Sequence, residues 1–569
     1  METSLFDIIP HQFRKRGIWV TCTIFMRALL NFLGLALLLP VLLLILDTDS
    51  IHTTPPLQKL YQLGGFSDDQ SFVIAICLGI VLIITIKCLL NLWLYRSERN
   101  YINDLYQYIS RKLYISYHDR GLSFIKSTNS AVLSRNVNVV CLTFVAGVLR
   151  PIASMASDAM LFLMLFGALA LYNPLASGLI ILIFMPSIWF YYSLVRRRLN
   201  RYGDQENQAH REKARTVAET FRGYADIEIS NAFPMMLRRF DQAMKEVIDV
   251  QTKNATINML PQSFTEIGLA LGMALLIILS LGGEAMQMRL LFGIFAVAAL
   301  RLMPSVRSIM SSWSAFKYNR YTIDILREAN FDAVENSVAN NNSKLSFEQK
   351  IDVDHLCFHF ADDPVSQEVI HDLSFSIRKG ERIGIRGASG AGKTTLFNLL
   401  LGFYQSTAGS ICIDGTPLTA DNRRCWQNAV GYVSQTVFLT DNTLAANVAL
   451  GVPDEEIDRD RVIQALEMAS LGTFTATLSK HIDTPIGECG CRLSGGQRQR
   501  IGIARALYKQ ANILFFDEAT SSLDNRTEES INQSVAHLSQ TNTELTIVVI
   551  AHRESSLEYC DRIITIGND

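Results

Sequence analysis

The chain has 569 residues, and 49% of them are hydrophobic; at ordinary domain sizes that length divides into roughly three or four units. Its formal net charge is -2, so neither an acidic nor a basic excess points to nucleic acid. The mean hydropathy of +0.19 averages two unlike parts, with long apolar runs up to about residue 320 and soluble α/β-type sequence beyond.

A helix needs roughly 20 predominantly apolar residues to cross ~30 Å of hydrocarbon. Six segments meet that test: about 18–46, 72–94, 149–171, 174–195, 260–281 and 290–312. The first follows Arg14-Lys15-Arg16 but is too long for a signal-peptide core, and no small-residue cleavage site follows it. Basic residues set the orientation. Arg14, Lys15, Arg16, Arg96, Arg99, Arg111, Lys112 and the run Arg196-Arg197-Arg198 fall on one side, against Lys59 and Arg289 on the other. The N-terminus is therefore expected in the cytosol, and an even number of spans returns the chain there.

Loop 47–71 is the long external connection, and Leu57–Gly65 within it suits a small interfacial helix. The internal connections, about 95–148 and 196–259, are polar but helix-friendly. Membrane helices continuing beyond the bilayer, each pair ending in a short cross-helix near Tyr117–Thr128 and near Arg211–Arg222, explain them best, because structureless loops of that length are uncommon in compact proteins. Charges inside spans are costly and usually line a cavity or pair off. At ~1.5 Å per residue, Lys87 lies ~22 Å down the second span from its external end, Arg301 ~17 Å down the sixth and Arg307 ~26 Å. These cations either face a pathway and meet an anionic group such as a lipid phosphate, or Lys87 and Arg307 snorkel to headgroups while Arg301 pairs with an acid such as Glu266. For Arg301 the cavity is favoured.

The ten cysteines form no C-x-x-C pair, and Cys489/Cys491 lack a second pair at zinc-site spacing, so they read as free thiols. Asn330–Lys350 is polar, with the run Asn340-Asn341-Asn342-Ser343, and reads as a linker. The organisation expected is a membrane domain over 1–329, a linker over 330–350 and a nucleotide-binding domain over 351–569.

In that last part, Gly387-Ala388-Ser389-Gly390-Ala391-Gly392-Lys393-Thr394 fits the phosphate-loop pattern G-x-x-x-x-G-K-S/T, after the apolar Ile383-Gly384-Ile385 and before a helix starting near Thr395. Glycines let backbone N–H groups wrap phosphates at a helix N-terminus. Lys393 supplies a point charge to the outer phosphates and Thr394 a hydroxyl for Mg²⁺. The apolar strand Ile513–Phe516 ends in Asp517 and Glu518. Asp517 suits a Mg²⁺ ligand acting through water, and Glu518 a general base that polarises the attacking water. Mg-ATP is the cofactor these motifs predict.

The chain resembles ATP-binding cassette (ABC) exporters, with the membrane domain first. Leu493-Ser494-Gly495-Gly496-Gln497 matches the family signature, Gln435 its Q-loop, His552 its switch histidine, Asp524 the end of its D-loop and Phe360 its adenine-stacking aromatic. The resemblance implies a membrane α-helical domain of six long transmembrane helices followed by an α/β P-loop domain, the type IV exporter architecture. It also implies that Ser494–Gln497 completes the ATP site of an opposite subunit, that Gln435 senses Mg²⁺ and that His552 contacts the γ-phosphate. Since every motif is intact, a homodimer is the expected assembly. The sequence departs from the family pattern at Phe360 (commonly Tyr), Ser522 (commonly Ala) and Cys489 (commonly Arg). Arg301-Leu-Met-Pro-Ser305 and Lys87-Cys-Leu-Leu-Asn91 resemble segments of bacterial exporters that flip lipid-linked oligosaccharides. That implies a bacterial inner-membrane protein with membrane lipids and a lipid-linked or amphipathic substrate as partners, and no nucleic acid. Exporters of hydrophobic small molecules, lipid A-type lipids or peptides are the alternatives.

Overall fold

A computed structural model describes residues 9–36, 61–62, 64, 69–172, 174–280, 285–328, 345–360 and 369–518, and most of 528–567. The interfacial stretch Leu57–Gly65 is largely outside the described residues. Most of the linker, Asp524, Ser522, His552 and the side chain of Arg301 lie outside them altogether. The chain divides into two compact units, Met1–Arg120 with Phe124–Val334, and Glu335–Asp569 with Gly121–Ser123.

The described residues between 9 and 328 are almost wholly helical: α1 His11–Ala36, α2 Asp69–Asp119, α3 Gly121–Ser127, α4 Ser130–Arg135, α5 Arg150–Tyr172, α6 Pro174–Arg222, α7 Tyr224–Ile229, α8 Phe233–Ser280, α9 Ala285–Tyr318 and α10 Tyr321–Glu328. Three described stretches, Gln12–Gly34, Gln70–Asp119 and Ser130–Leu171, are long and apolar enough to cross a membrane, and the other three apolar segments lie in α6, α8 and α9. Leu78, Val81, Leu82, Leu89, Leu92 and Trp93 of α2 are exposed, an apolar surface suited to lipid.

Helices α2, α6 and α8, of 51, 49 and 48 residues, run far past their apolar segments. The short helix α3 falls inside the stretch expected to hold the first cross-helix. The second short helix sits later than the expected Arg211–Arg222. Arg211–Arg222 continues α6, and the separate short helix is α7. The reason is local: 211–222 holds neither Gly nor Pro, and Gly223 is the first break. Between α4 and α5 the helix widens into π turns at Asn136–Val140 and Val145–Leu149. There, buried Arg135 donates to Asn207 at 2.6 Å and buried Asn136 donates its amide to the Tyr117 hydroxyl at 3.0 Å. Helices α6 and α9 touch at backbone level, for a Cβ on Gly203 would sit 1.8 Å from the Tyr318 carbonyl oxygen.

The second unit holds two sheets. The antiparallel one, order β2-β1-β4-β5, comprises β1 Lys350–Phe358, β2 Ile370–Arg378, β4 Ala408–Ile413 and β5 Thr416–Pro417. The parallel one, order β6-β7-β8-β3-β9, comprises β3 Arg382–Gly387, β6 Val430–Val433, β7 Ile513–Asp517, β8 Thr546–Ile550 and β9 Arg562–Ile566. Its strands are near-continuous Ile, Val, Leu and Phe, as burial on both faces demands; every residue of β7 is buried. Phe397 of α11 (Lys393–Leu400) packs edge-on to Phe515 of β7, centroids 5.2 Å apart. That contact fixes the helix that starts at the phosphate loop against the strand that ends in the two carboxylates.

Candidate functional site: the phosphate loop and its carboxylates

The loop 387–392 leaves the C-terminal end of β3, where ligands gather in open α/β sheets. Gly390 and Gly392 take φ of 86° and 87°, the left-handed region open to glycine. A Cβ on Gly392 would also lie 2.8 Å from the Val369 carbonyl oxygen, so this turn requires glycine twice over. Ala388, Ser389 and Gly390 are exposed, Ala391 half-buried, and Thr394 and Thr395 open the first turn of α11.

Lys393 is 5% exposed. Its ammonium donates to the carbonyls of Gly387 and Ala388, both at 2.9 Å. Two neutral carbonyls leave a buried cation without charge compensation from them, which fits an anionic ligand in the loop. Thr394 donates its hydroxyl to Asp517 Oδ1 at 3.5 Å. A hydroxyl beside a buried carboxylate is the hard oxygen set that Mg²⁺ takes, so these residues fit the metal.

Tyr432 of β6 donates its hydroxyl to Asp517 Oδ2 at 3.3 Å. Burial first, and then the Asp517 charge, raise the Tyr432 hydroxyl well above the usual phenol range. Glu518 has φ of 49°, a strained conformation for a residue with a Cβ. Its N–H donates to the Ile550 carbonyl at 3.0 Å, and Gln435 Nε2 donates to its Oε2 at 3.1 Å. Gln435 is itself held by Gln499 of α12 (Gly495–Tyr508), whose Nε2 donates to the Gln435 carbonyl at 2.7 Å. The sheet thus brings Lys393, Thr394, Gln435, Asp517 and Glu518 into one connected cluster.

Ser494 caps α12 in a reciprocal capping box. It accepts from the Gln497 N–H at 3.3 Å, and its own N–H donates to Gln497 Oε1 at 2.8 Å. Gly495 and Gly496 form the first turn. No hydrogen bond or ion pair joins 494–497 to 387–395 among the described residues. Phe360 follows β1, and its ring meets Phe358 and Tyr404.

In the membrane unit, Lys87 lies against α1. A Cβ on Gly34 would sit 2.8 Å from both its Cδ and Nζ. One turn on, Asn91 donates to Asn31 at 2.9 Å, and further along Arg27 pairs with Glu98 at 2.8 Å with side chains 17% and 7% exposed. Arg307 has a buried Nε without a hydrogen-bond partner, and its neighbour Ser308 donates to the Asp158 carboxylate. Arg27, Asn31, Glu98 and Asp158 were not among the sequence candidates. The signal was present for Arg27 and Asp158, which are charges inside the first and third apolar segments.

A family model for the ABC transporter matches residues 370–521. The chain is 31% identical over 474 residues to an ATP-dependent lipid A-core flippase of Burkholderia pseudomallei (strain 1710b), covering 81% of this chain and 78% of that one. It is 29% identical over 517 residues to the protein of that name from Polaromonas sp. (strain JS666 / ATCC BAA-500), covering 90% and 85%. Among solved structures it aligns with a bacterial Atm1-family ABC exporter with ATP bound, at a TM-score of 0.76 and 20% identity over 97% of this chain and 93% of that one. Sequence kinship and fold agree: this chain belongs to the ABC exporters, as a half-transporter that joins a membrane domain to an ATP-binding cassette and couples ATP hydrolysis to transport.

Proposed function

We propose that two copies of this chain form an ATP-driven flippase for a glycolipid in a bacterial inner membrane, with both cassettes in the cytosol. The supporting observation is kinship across most of the chain with proteins named lipid A-core flippases. Those names favour a lipid A-type amphiphile over the lipid-linked oligosaccharide suggested by the segments at Lys87–Asn91 and Arg301–Ser305. Residues 1–329 form the membrane domain in this reading, 330–350 the linker and 351–569 the cassette.

Phe360 stacks on adenine. Backbone N–H groups from Gly387 to Thr395, with the Lys393 ammonium, hold the phosphates. Thr394, Asp517 and Gln435 hold Mg²⁺, which when bound neutralises charge developing between the outer phosphates. Glu518 Oε2, 3.1 Å from Gln435 Nε2, accepts the proton of the attacking water, and His552 steadies the γ-phosphate. Ser494–Gln497 of one copy close on the ATP of the other, with Asp524 at the same junction. Turnover then lets the cassettes part. Lys87, Arg301 and Arg307 supply positive charge to the substrate's phosphates.

The test is reconstitution in liposomes with two fluorescent probes, a lipid A-type glycolipid and a lipid-linked oligosaccharide. ATP-dependent appearance of the first on the far leaflet is expected. Transport of neither, with activity on a small hydrophobic molecule, sinks the glycolipid reading.

A further inference from the structure

Phe360 lies just beyond β1, in a segment tied closely to the phosphate loop. Val369 N–H donates to the Phe358 carbonyl at 2.9 Å, and the Val369 carbonyl oxygen is the atom that a Cβ on Gly392 would strike. Tyr404 reaches the same place from the other direction. It follows α11, whose N-terminus is the phosphate loop, and its N–H donates to the Asn398 carbonyl at 3.1 Å.

The three rings form a fixed figure. Phe358 and Tyr404 stack with centroids 5.4 Å apart and 7° between their planes. Phe360 stands edge-on to both, at 5.0 Å from Phe358 and 5.8 Å from Tyr404, each at 84°. Both edge contacts lie in the favoured range for aromatic pairs. Phe358 is buried, whereas Phe360 remains 38% exposed. A ring held edge-on by two parallel neighbours presents its exposed surface in one orientation. An isolated exposed Phe would sample several rotamers and lose that entropy on binding.

We infer that Tyr404 is a positioning residue for the nucleotide base: stacked on Phe358, it sets the attitude of the Phe360 ring at the phosphate loop. The role belongs to the ring, since the contacts are aromatic and the hydroxyl enters none of them. The inference rests on the reading of Phe360 as the adenine-stacking residue and extends it to the two rings that hold Phe360. It assigns base affinity and phosphate affinity to separable parts. Gly387–Thr395 grips the triphosphate whether or not a base is present, and the three rings act on the base alone.

The experiment uses the full-length protein in nanodiscs. It measures KM and kcat for ATP, and inhibition by inorganic tripolyphosphate, which carries no base. Base stacking is worth about 1–3 kcal/mol, so Phe360→Ala should raise the KM for ATP about tenfold. Tyr404→Leu should raise it about fivefold, the value of one lost edge contact, with kcat and tripolyphosphate inhibition unchanged. Tyr404→Phe should match the wild type. Phe358→Leu should show the same split as Tyr404→Leu, which keeps the idea testable if either variant folds poorly. A KM effect in Phe360→Ala with none in Tyr404→Leu and Phe358→Leu overturns the positioning role alone. No effect in Phe360→Ala overturns the stacking reading beneath it. Parallel loss of ATP and tripolyphosphate affinity in Tyr404→Leu means a structural role and also overturns the inference.

Discussion

The phosphate-loop lysine and the polar seam of the membrane unit find their partners over different lengths of chain. Lys393 finds its carbonyl partners five and six residues away. Arg27 finds Glu98 71 residues away, Asn91 finds Asn31 60 away, and Ser308 finds Asp158 150 away. The cassette carries its chemistry in short loops at strand ends, and the parallel sheet brings those loops together, Thr394 to Asp517 across 123 residues and Gln435 to Glu518 across 83. The membrane unit assembles its polar seam only when α1, α2, α5 and α9 pack. Cassette variants should therefore change turnover without moving the fold, and seam variants should do the reverse.

The largest effect tests the cassette side. Glu518→Gln keeps the hydrogen-bonding shape near Gln435 but cannot take a proton, and positioned general bases contribute about 10²–10⁴-fold. ATP turnover should fall by about a thousandfold, with nucleotide binding retained and the thermal midpoint unchanged. Turnover near the wild-type rate would mean that the base is elsewhere. On the membrane side, Arg27→Ala leaves Glu98 charged and largely buried. Breaking a buried pair costs about 3–5 kcal/mol, so this variant should lower the unfolding midpoint in detergent. The double change Arg27→Met with Glu98→Leu should recover most of the loss, because it leaves no charge stranded. A double variant as unstable as the single one would show that the seam's stability rests on packing shape and not on charge pairing.

The same difference in contact length decides what the sequence reveals. Gly387–Thr394 and Asp517-Glu518 are legible because each is contiguous and each sits in the strand context its chemistry needs. Gln435 is legible only as a motif, for its contact with Glu518 spans 83 residues. In the membrane unit, periodicity and apolar length place the helices, but they do not say which neighbour each face meets. Lys87 illustrates this. Its depth follows from counting residues, whereas its position against Gly34 follows from packing. Sequence reading places the second short helix too early because a helix-friendly stretch carries no end signal until Gly223. Tyr404 was invisible as a partner of Phe360, since nothing local links the end of one helix to the end of a distant strand.

A pair of glycines sharpens the packing side. Gly203 sits where α6 meets the Tyr318 carbonyl, and an added methyl must push the helices apart. Overpacking costs about 1–3 kcal/mol, so Gly203→Ala should lower the unfolding midpoint and reduce transport. Gly79 of α2 has nothing within 4 Å of an added Cβ. Gly79→Ala should be neutral or stabilise by about 0.5 kcal/mol through helix propensity. Equal behaviour of the two would remove close α6–α9 contact as a constraint.

The smallest effect lies inside the cassette. Tyr432 donates to Asp517 at 3.3 Å, a long bond to the carboxylate at the end of β7. Tyr432→Phe should raise the Mg²⁺ concentration for half-maximal turnover by about threefold, below the ~10–100-fold typical of outer partners of metal ligands because the bond is long, with little change in kcat at saturating Mg²⁺. The pH dependence is fixed in sign. Burial and the Asp517 charge raise the phenol in the folded protein, so its contribution to stability is fully present below the unfolded phenol pKa of about 10 and is lost as pH climbs through the higher folded value. Wild type should lose stability relative to Tyr432→Phe only above about pH 10, and the two should run parallel from pH 6 to 9. Divergence within that neutral window would mean that Tyr432 shares a proton with Asp517 under working conditions. The Mg²⁺ site would then be coupled to pH through the phenol.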